Sequence, residues 1–248
     1  MQAASGQVLK IGILGASGRM GQRIQNIANS LELRSKVEVS AKPGRNDDLA
    51  SLFSCDAVID FSLAEASMHL TEFALQWHSL GRSLPVFVVG TTGFALDFRG
   101  WDEVAKKTWV LKSANFSPGV QILLQALESI GTLYRNLGFE SSMVDIHHIH
   151  KKDAPSGTAL LLADTLDSFS HPRMPIESVR EGEVIGTHAI TLQGPGERLL
   201  LTHEAQSRDI FARGAILAGL SLVEVARKKT LLPGKLFSLR EILVAAQR

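Results

Sequence analysis

Short apolar runs alternate with amphipathic stretches through the first half of the chain. This alternation predicts strands joined by helices. The predicted strands cover residues 8–14, 36–41, 57–61, 86–89 and 110–111. The helix after the first strand is indicated by apolar residues at helical spacing, namely Met20, Ile24, Ile27, Ala28 and Leu31. Residues 1–117 are therefore predicted to form a doubly wound parallel sheet of the α/β class.

The pattern changes after residue 117. A helix is predicted to begin at Pro118 and Gly119. It is followed by a strand at 142–146, a helix at 159–169, and strands at 184–192 and 199–202 that form a hairpin. This mixture predicts a second, α+β domain. Residues 209–226 are apolar almost all round, which for a helix indicates burial between other elements, and the segment 236–244 follows.

The composition narrows the class of protein. The chain has 248 residues, is 45% hydrophobic and carries a formal net charge of +1, so we expect a globular protein that does not bind nucleic acid. The longest apolar run, at 215–225, is too short to cross a membrane. No signal peptide is apparent, because Lys10 interrupts the only early apolar stretch, and the single Cys55 fits a reducing compartment. We expect a cytoplasmic protein, or one in the plastid stroma if a transit peptide has been removed.

A glycine-rich turn follows the first predicted strand. It contains Gly15, Ala16, Ser17, Gly18, Arg19 and Met20 and ends at Gly21. Glycine lets backbone N–H groups approach a pyrophosphate at a helix start, as in the Rossmann fold. The spacing is G-x-x-G-x-x-G rather than G-x-G-x-x-G, so a tight strand-to-helix turn without ligand is the alternative.

The loop after the second predicted strand bears on the choice of nicotinamide cofactor. An NAD-binding site would place an acidic residue there for the ribose hydroxyl, but the chain offers Lys42 and Arg45. A guanidinium suits a 2′-phosphate, so NADPH is predicted and NADH is the alternative. Asp47 and Asp48 lie too far beyond the end of the second strand to be favourable ligands of the ribose hydroxyl. The basic residues could instead be solvated loop charges.

Two polar turns follow the fourth and fifth predicted strands. Ligands of open parallel sheets gather beyond the carboxyl ends of the strands, so both turns are candidate cofactor contacts. The candidates are Gly90, Thr91, Thr92, Ala114, Asn115, Phe116 and Ser117. The alternative is that they only form turns.

Titratable groups and a helix start are most closely packed between His147 and Thr158. A helix start binds anions such as a carboxylate, and the hydroxyls of Ser156 and Thr158 can add donors. A histidine and a lysine just upstream can supply protons or positive charge. An extended chain would separate the Cα atoms of His147 and Lys151 by about 13 Å, so they cooperate only if the chain bends between them.

Other kinds of catalytic site find little support in the sequence. Neighbouring histidines on a strand point to opposite faces, and no nearby Cys or Glu completes a ligand set, so no metal site is predicted. No Gly-x-Ser-x-Gly motif accompanies the histidines, which argues against covalent nucleophilic catalysis.

The segment HHIHKKDAPSGTAL closely resembles the signature of bacterial and plant 4-hydroxy-tetrahydrodipicolinate reductases. The glycine spacing, both polar turns, and residues 180–182, 186–188 and 203–208 also match that family. The resemblance implies an NAD(P)H-dependent oxidoreductase of the diaminopimelate route to lysine. It further implies a small dicarboxylate substrate and a homotetramer.

The resemblance also implies residue roles and domain boundaries. His147 corresponds to the acid–base histidine, Lys151 to the proton-donating lysine and His148 to a substrate-binding histidine. Ser156, Gly157 and Thr158 correspond to the residues that hold a carboxylate. Residues 1–117 and 209–248 would form a discontinuous dinucleotide-binding domain, and 118–208 the substrate-binding and oligomerisation domain.

The chain departs from the family pattern in two places. The segment after the second strand is short and lacks the usual acidic residue, which bears on cofactor preference. Residues 168–177 are abbreviated, which bears on the oligomer surface. Two other functions stay open at this point: a different two-domain nicotinamide oxidoreductase such as an amino-acid dehydrogenase, and a non-catalytic NADPH-sensing module.

Overall fold

The computed structural model describes residues 8–45, 47–167 and 173–247. Its strands are β1 (Leu9–Leu14), β2 (Val37–Ala41), β3 (Ala57–Asp60), β4 (Val86–Val89), β5 (Val110–Lys112), β6 (Glu140–His147), β7 (Ile176–Arg180), β8 (Thr187–Gln193), β9 (Arg198–Glu204) and β10 (Leu236–Phe237). Its helices are α1 (Arg19–Ala28), α2 (Ala64–Ser79), α3 (Gly100–Ala105), α4 (Pro118–Ile130), α5 (Leu133–Asn136), α6 (Gly157–Asp167), α7 (Asp209–Lys228) and α8 (Leu239–Ala245). The chain divides into two units, Met1–Phe116 with Phe211–Arg248, and Ser117–Ile210.

The first unit contains a six-stranded sheet in the order β10-β5-β4-β3-β1-β2, in which all neighbours are parallel. Val86 and Val88 of β4 pack into one core, whereas Phe87 and Val89 pack into another on the opposite face. The strand is apolar throughout because both faces of the sheet are covered. The predicted doubly wound parallel sheet is confirmed, with its topological switch point between β1 and β3.

The second unit contains a four-stranded sheet in the order β7-β6-β8-β9. β6 and β7 are parallel, whereas β6, β8 and β9 are successively antiparallel. One face packs against α4 and α6 through Leu127, Met143, Leu162 and Ile190. The fold prediction of a second, α+β part is therefore confirmed.

Several element boundaries differ from the predictions. β7 was not predicted, because it is short and its residues are all partly or fully exposed, which leaves a weak apolar signal. β8 begins at Thr187 rather than at 184, because the chain still turns where the N–H of Val184 bonds to the carbonyl of Glu181. The segment 236–244 splits into β10 and α8, since Ser238 and Glu241 form a capping box that starts a helix.

The helix predicted at 159–169 begins at Gly157, and its last two predicted residues lie outside the described part of the chain. Residues 168–172 of the abbreviated segment also lie outside it. α7 is buried on most of its surface, as predicted. Within the described ranges, none of the helices combines the length and hydropathy needed to span a bilayer.

Candidate active site

A ladder of buried polar side chains crosses the sheet of the second unit. Asp145 and His147 share one face of β6 because they are two residues apart. His188 of β8 lies opposite Asp145, and His203 of β9 lies opposite His188. Asp145, His147 and His188 are 0%, 8% and 3% exposed. The register of three strands thus gathers residues that are far apart in sequence.

Asp145 is the centre of this ladder. Its carboxylate accepts hydrogen bonds from the backbone N–H and the hydroxyl of Ser156, at 2.9 and 2.8 Å. Nη2 of Arg180 lies 3.3 Å from the same carboxylate. Burial alone would raise the pKa of Asp145, but the hydrogen bonds from Ser156 lower it below its ordinary value. Asp145 is therefore an anion in the folded protein.

His147 lies at the end of β6 with Nδ1 3.0 Å from Oδ1 of Asp145. The contact is electrostatic rather than an aligned hydrogen bond, because the geometry of Nδ1 satisfies no hydrogen bond. Nε2 faces Gly186, where an added Cβ would lie only 2.9 Å away. Burial lowers the pKa of His147 and Asp145 opposes that effect, so the ring is mainly neutral at pH 7.

The tautomer of His188 follows from its neighbours. The hydroxyl of Ser156 donates its only hydrogen to Asp145 and accepts from the N–H of Ala159. Nε2 of His188 lies 3.2 Å from that hydroxyl oxygen, so Nε2 is the donor in this contact. Burial lowers the pKa of His188 to about 4, and the ring is neutral.

The chain bends immediately after His147, as cooperation with Lys151 requires. The N–H of Lys151 bonds to the carbonyl of His148, which closes a turn. Nζ of Lys151 lies 2.8 Å from Oδ1 of Asp153, and the Lys151 side chain is 23% exposed. Nδ1 of His148 is buried and finds no hydrogen-bond partner within the described residues. Lys151 and His148 both remain close to the end of β6.

Helix α6 begins directly after Ser156, at the carboxylate-binding residues predicted from sequence. Ser156 is 2% exposed, and its backbone N–H and hydroxyl both donate hydrogen bonds to Asp145. These two bonds fix the start of the helix to β6. Gly157 is exposed and Thr158 half-buried. A carboxylate of the protein already lies here: the pKa of Asp153 is lowered first by the hydrogen bond from Lys151 and also by the backbone N–H of Gly157.

Asp145, His147 and His188 also place one potential ligand atom each within 4.8 Å of one another. This set could not be predicted from the sequence pattern, because His188 comes from another strand. However, Arg180 lies against the same carboxylate and Ser156 donates twice to it. The cluster therefore fits a hydrogen-bonded network better than a cation site.

The predicted glycine loop lies between β1 and α1 in the first unit. Gly15 has φ +84°, and a Cβ there would lie 2.5 Å from the carbonyl oxygen of Phe61. Gly18 is the N-cap of α1 and, as a glycine, offers no side-chain cap to the first N–H groups of the helix. Ser17 and Arg19 are exposed, whereas Ala16 and Met20 are half-buried. Helix N–H groups beside two glycines that lack a Cβ atom fit the pyrophosphate of a dinucleotide.

The turn after β4 is joined to the loop after β3 through Asp60, which is fully buried. Asp60 accepts from the hydroxyls of Ser62, Ser67 and Thr91 and from the N–H of Ser62. Burial raises the pKa of Asp60, against the effect of these donors. The hydroxyl of Thr91 thus serves the loop itself, whereas Thr92 is exposed and Gly90 half-buried.

The loop after β2 presents Lys42 and Arg45 to solvent. The two acidic residues that follow serve the backbone: Asp47 accepts from the N–H of Gly44 at 2.7 Å and Asp48 from that of Ala50 at 2.9 Å. The carboxylates of Asp47 and Asp48 thus already accept hydrogen bonds from nearby backbone N–H groups.

The residues of the turn after β5 differ in how far their side chains are available to a cofactor. Ala114 is exposed and Asn115 half-buried, but the ring of Phe116 is 2% exposed and packs on Phe61 at 5.2 Å. Ser117 belongs to the second unit, where its hydroxyl lies 3.1 Å from Nε2 of His203. Phe116 can therefore offer a cofactor only its backbone, and the Ser117 side chain is used by α4 and β9.

The functional-site candidate that sequence reasoning missed is Asp145, whereas Arg180, His188 and His203 were noted only as matches to the family. Spacing of two along β6 could have suggested Asp145 as a partner of His147. No local signal pairs either residue with His188 or Arg180, which depend on strand register.

Comparison with known proteins gives the family. The model for the N-terminal part of dihydrodipicolinate reductase matches residues 9–116, and the model for its C-terminal part matches residues 119–243. The 4-hydroxy-tetrahydrodipicolinate reductase of Lawsonia intracellularis is 31% identical over 95% of this chain and 99% of its own length. That of Zymomonas mobilis is 35% identical over 87% and 92%.

The fold is also similar to that of a solved structure, the dipicolinate-bound dihydrodipicolinate reductase from Paenisporosarcina sp. TG-14. The TM-score is 0.71 at 20% identity, over 94% of this chain and 98% of that one. The C-terminal family model covers the segment from His147 to Thr158, and the N-terminal model covers the glycine loop. The chain therefore belongs to the dihydrodipicolinate reductase family.

Proposed function

We propose that this chain reduces 4-hydroxy-tetrahydrodipicolinate with NAD(P)H, using His147 and Lys151 as proton-transfer groups. Family membership makes it a nicotinamide-dependent oxidoreductase of the diaminopimelate route to lysine. The observation that carries the residue roles is the bend after β6. It keeps a buried histidine, a half-buried lysine and a helix start within one short segment.

The overall reaction removes water from 4-hydroxy-tetrahydrodipicolinate and adds hydride to C4 of the resulting conjugated imine. The nicotinamide supplies that hydride when it is bound. Hydride at C4 leaves the anion of an enamine, which takes up one proton and gives tetrahydrodipicolinate. Lys151 and His147 supply this proton, since both carry exchangeable protons beside the same helix start.

The start of α6 is proposed to bind one substrate carboxylate through the backbone N–H groups of Gly157 and Thr158. The carboxylate of Asp153 supports this role, because Lys151 and Gly157 already act on it together. The unpartnered Nδ1 of His148 is a further proposed donor. A dicarboxylate substrate would replace Asp153 at these groups, and the positive end of the helix dipole would favour it.

NADPH is the proposed preferred donor, with NADH as the alternative. Arg45 and Lys42 are exposed at the end of β2, where the 2′ position of the adenosine ribose would lie. Asp47 and Asp48 hold backbone N–H groups and do not compete for the ribose hydroxyl. A 2′-phosphate would gain charge-assisted hydrogen bonds from Arg45.

A cytoplasmic homotetramer is proposed as the working form. The face of the second sheet opposite α4 and α6 carries Val144 and Ile146, which are half-buried, and Leu200, which is 55% exposed. An apolar sheet face of this kind is stabilised when a second copy covers it.

The test is oxidation of NADPH and NADH, followed by absorbance, with substrate formed in place from pyruvate and aspartate semialdehyde. Rapid, substrate-dependent oxidation is expected, with a lower KM for NADPH than for NADH. Binding of cofactor without any oxidation would exclude the proposed reaction.

A further inference from the structure

Asp145 connects the two parts of the proposed site in the second unit. On one side its Oδ1 lies 3.0 Å from Nδ1 of His147. On the other side it accepts both donors of Ser156, the residue from which α6 starts. His188 also contacts both residues, but its ring is neutral, whereas Asp145 carries a charge. One buried carboxylate thus reaches the acid–base group and the carboxylate-binding turn together.

Keeping Asp145 ionised in the interior of the protein costs free energy. The residue is fully buried, and a buried anion without partners would cost several kcal/mol. Arg180 and His188, at 3.3 and 3.5 Å, surround it in addition to His147 and Ser156. A core that only had to fold could use apolar residues of similar volume at these positions. The arrangement therefore indicates a task that needs the carboxylate.

We propose that Asp145 is a positioning residue that holds the His147 ring and the Ser156–Thr158 turn in one fixed arrangement. The proposal rests on the function proposed above for His147 and for the start of α6. Asp145 faces Nδ1 and thereby leaves Nε2 as the nitrogen that exchanges protons. Through Ser156 it also fixes where the first N–H groups of α6 point.

The contact of Asp145 with His147 and its hydrogen bonds with Ser156 can be tested separately by substitution. Ser156→Ala removes a hydroxyl but leaves the carboxylate beside His147. It is expected to raise the substrate KM about tenfold, because the turn loses the hydroxyl's bonds to Asp145, Ala159 and His188, without moving the pH profile. Asp145→Asn keeps the shape of the side chain but removes its charge. It is expected to raise KM and also to move the profile.

The direction of the movement follows from the charges around His147. The ring faces Asp145 on its own strand, Lys151 and Asp153 in the following turn, Arg180 on β7 and His188 on β8. Asp145 is the nearest anion, and its charge favours the protonated ring. Its neutralisation must therefore move the alkaline limb of kcat/KM, and the NMR titration of the His147 ring, to lower pH.

The NMR titration does not require turnover, so it separates this inference from the proposed reaction. If wild type reduces no substrate but the titration of His147 moves in Asp145→Asn, the reaction is wrong and the positioning role stands. If wild type is active and neither the titration nor the limb moves in a folded Asp145→Asn protein, the positioning role is wrong. A rise in KM alone in Asp145→Asn would likewise overturn it.

Gly186→Ala gives a second route if Asp145→Asn does not fold. Its Cβ would lie 2.9 Å from Nε2 of His147 and displace the ring, while Asp145 and Ser156 stay in place. A fall in kcat of about tenfold or more with an unchanged substrate KM is expected, because a misplaced acid–base group slows only the chemical step. An unchanged kcat would show that the ring position does not matter, and would overturn the proposal.

Discussion

His188 shows how a single buried side chain can limit stability at acid pH. Its pKa is about 4 in the folded protein, against an ordinary 6.5 in the unfolded chain. The unfolded state therefore binds more protons between these values, and stability is lost as the pH falls from about 6.5 to 4. The loss amounts to about 3 kcal/mol for this group.

His188→Gln should remove most of that acid sensitivity, although it lowers stability at neutral pH by weakening the contact with Ser156. Hydrogen exchange of the β6 and β8 amides at pH 7 and pH 5 measures both effects. His69→Gln is the matched control, because His69 is exposed on α2. An equal pH dependence in wild type and His188→Gln would contradict the assignment.

Asp60 plays a comparable part in the first unit. Its carboxylate accepts four hydrogen bonds, from three side chains and one backbone N–H, and an amide in its place can accept at only one oxygen. Asp60→Asn is therefore expected to loosen the loops after β3 and β4 and to raise the Kd for NADPH about tenfold. Tryptophan fluorescence can report this, since Trp77, Trp101 and Trp109 all lie in this unit.

Asp102→Asn, on the exposed side of α3, provides the control for Asp60→Asn. NADPH affinity should not change in that variant. An Asp60→Asn protein that binds NADPH as tightly as wild type would show that the loops keep their shape without the carboxylate.

At the scale of elements, the turn between β1 and α1 depends on Gly15. Alanine there would meet both an unfavourable φ of +84° and a carbonyl oxygen at 2.5 Å. Gly15→Ala should abolish measurable NADPH binding, because the turn must move. Gly81→Ala is matched in backbone, with φ +75° but nothing within 4 Å of the added Cβ. It should bind NADPH normally in the same titration, and equal binding by the two variants would contradict the proposed pyrophosphate site.

The loop after β2 tests the choice of cofactor. Arg45→Ala should raise the KM for NADPH about tenfold or more and leave that for NADH nearly unchanged, because only NADPH carries the 2′-phosphate. Arg82→Ala, another exposed arginine in the same unit, controls for the loss of surface charge. Equal changes in the two KM values would argue against a phosphate contact at Arg45.

Local elements of the structure could be predicted because their signals are contiguous. The glycine loop needs only a strand, three spaced glycines and an amphipathic helix, and the segment from His147 to Thr158 is a single run of residues. The ladder from Asp145 to His203 could not be predicted, because it depends on antiparallel register. A slip of one residue between β6 and β8 would turn His188 to the other face. β7 could not be predicted either, because its residues are all partly or fully exposed and give little hydrophobic pattern.

At the scale of the whole molecule, we expect the protein to assemble through the face of the second sheet that lies opposite α4 and α6. Leu200→Glu should convert the proposed tetramer into smaller species, because a charge would be buried between copies. Light scattering after size exclusion measures the mass. Leu96→Glu is the control, since Leu96 is 97% exposed in the first unit. A tetramer that persists in Leu200→Glu would place the assembly surface elsewhere.

The most direct test of the central claim compares two neighbouring lysines in the steady-state reaction. Lys151→Ala should lower kcat about a hundredfold or more, the usual contribution of a positioned proton donor. Lys152→Ala, which removes an exposed lysine one residue away, should leave kcat within about twofold of wild type, as expected for a surface charge. A fully active Lys151→Ala enzyme would contradict the proposed proton donor. A wild-type protein that binds NADPH but never oxidises it in the presence of substrate would contradict the reductase function itself.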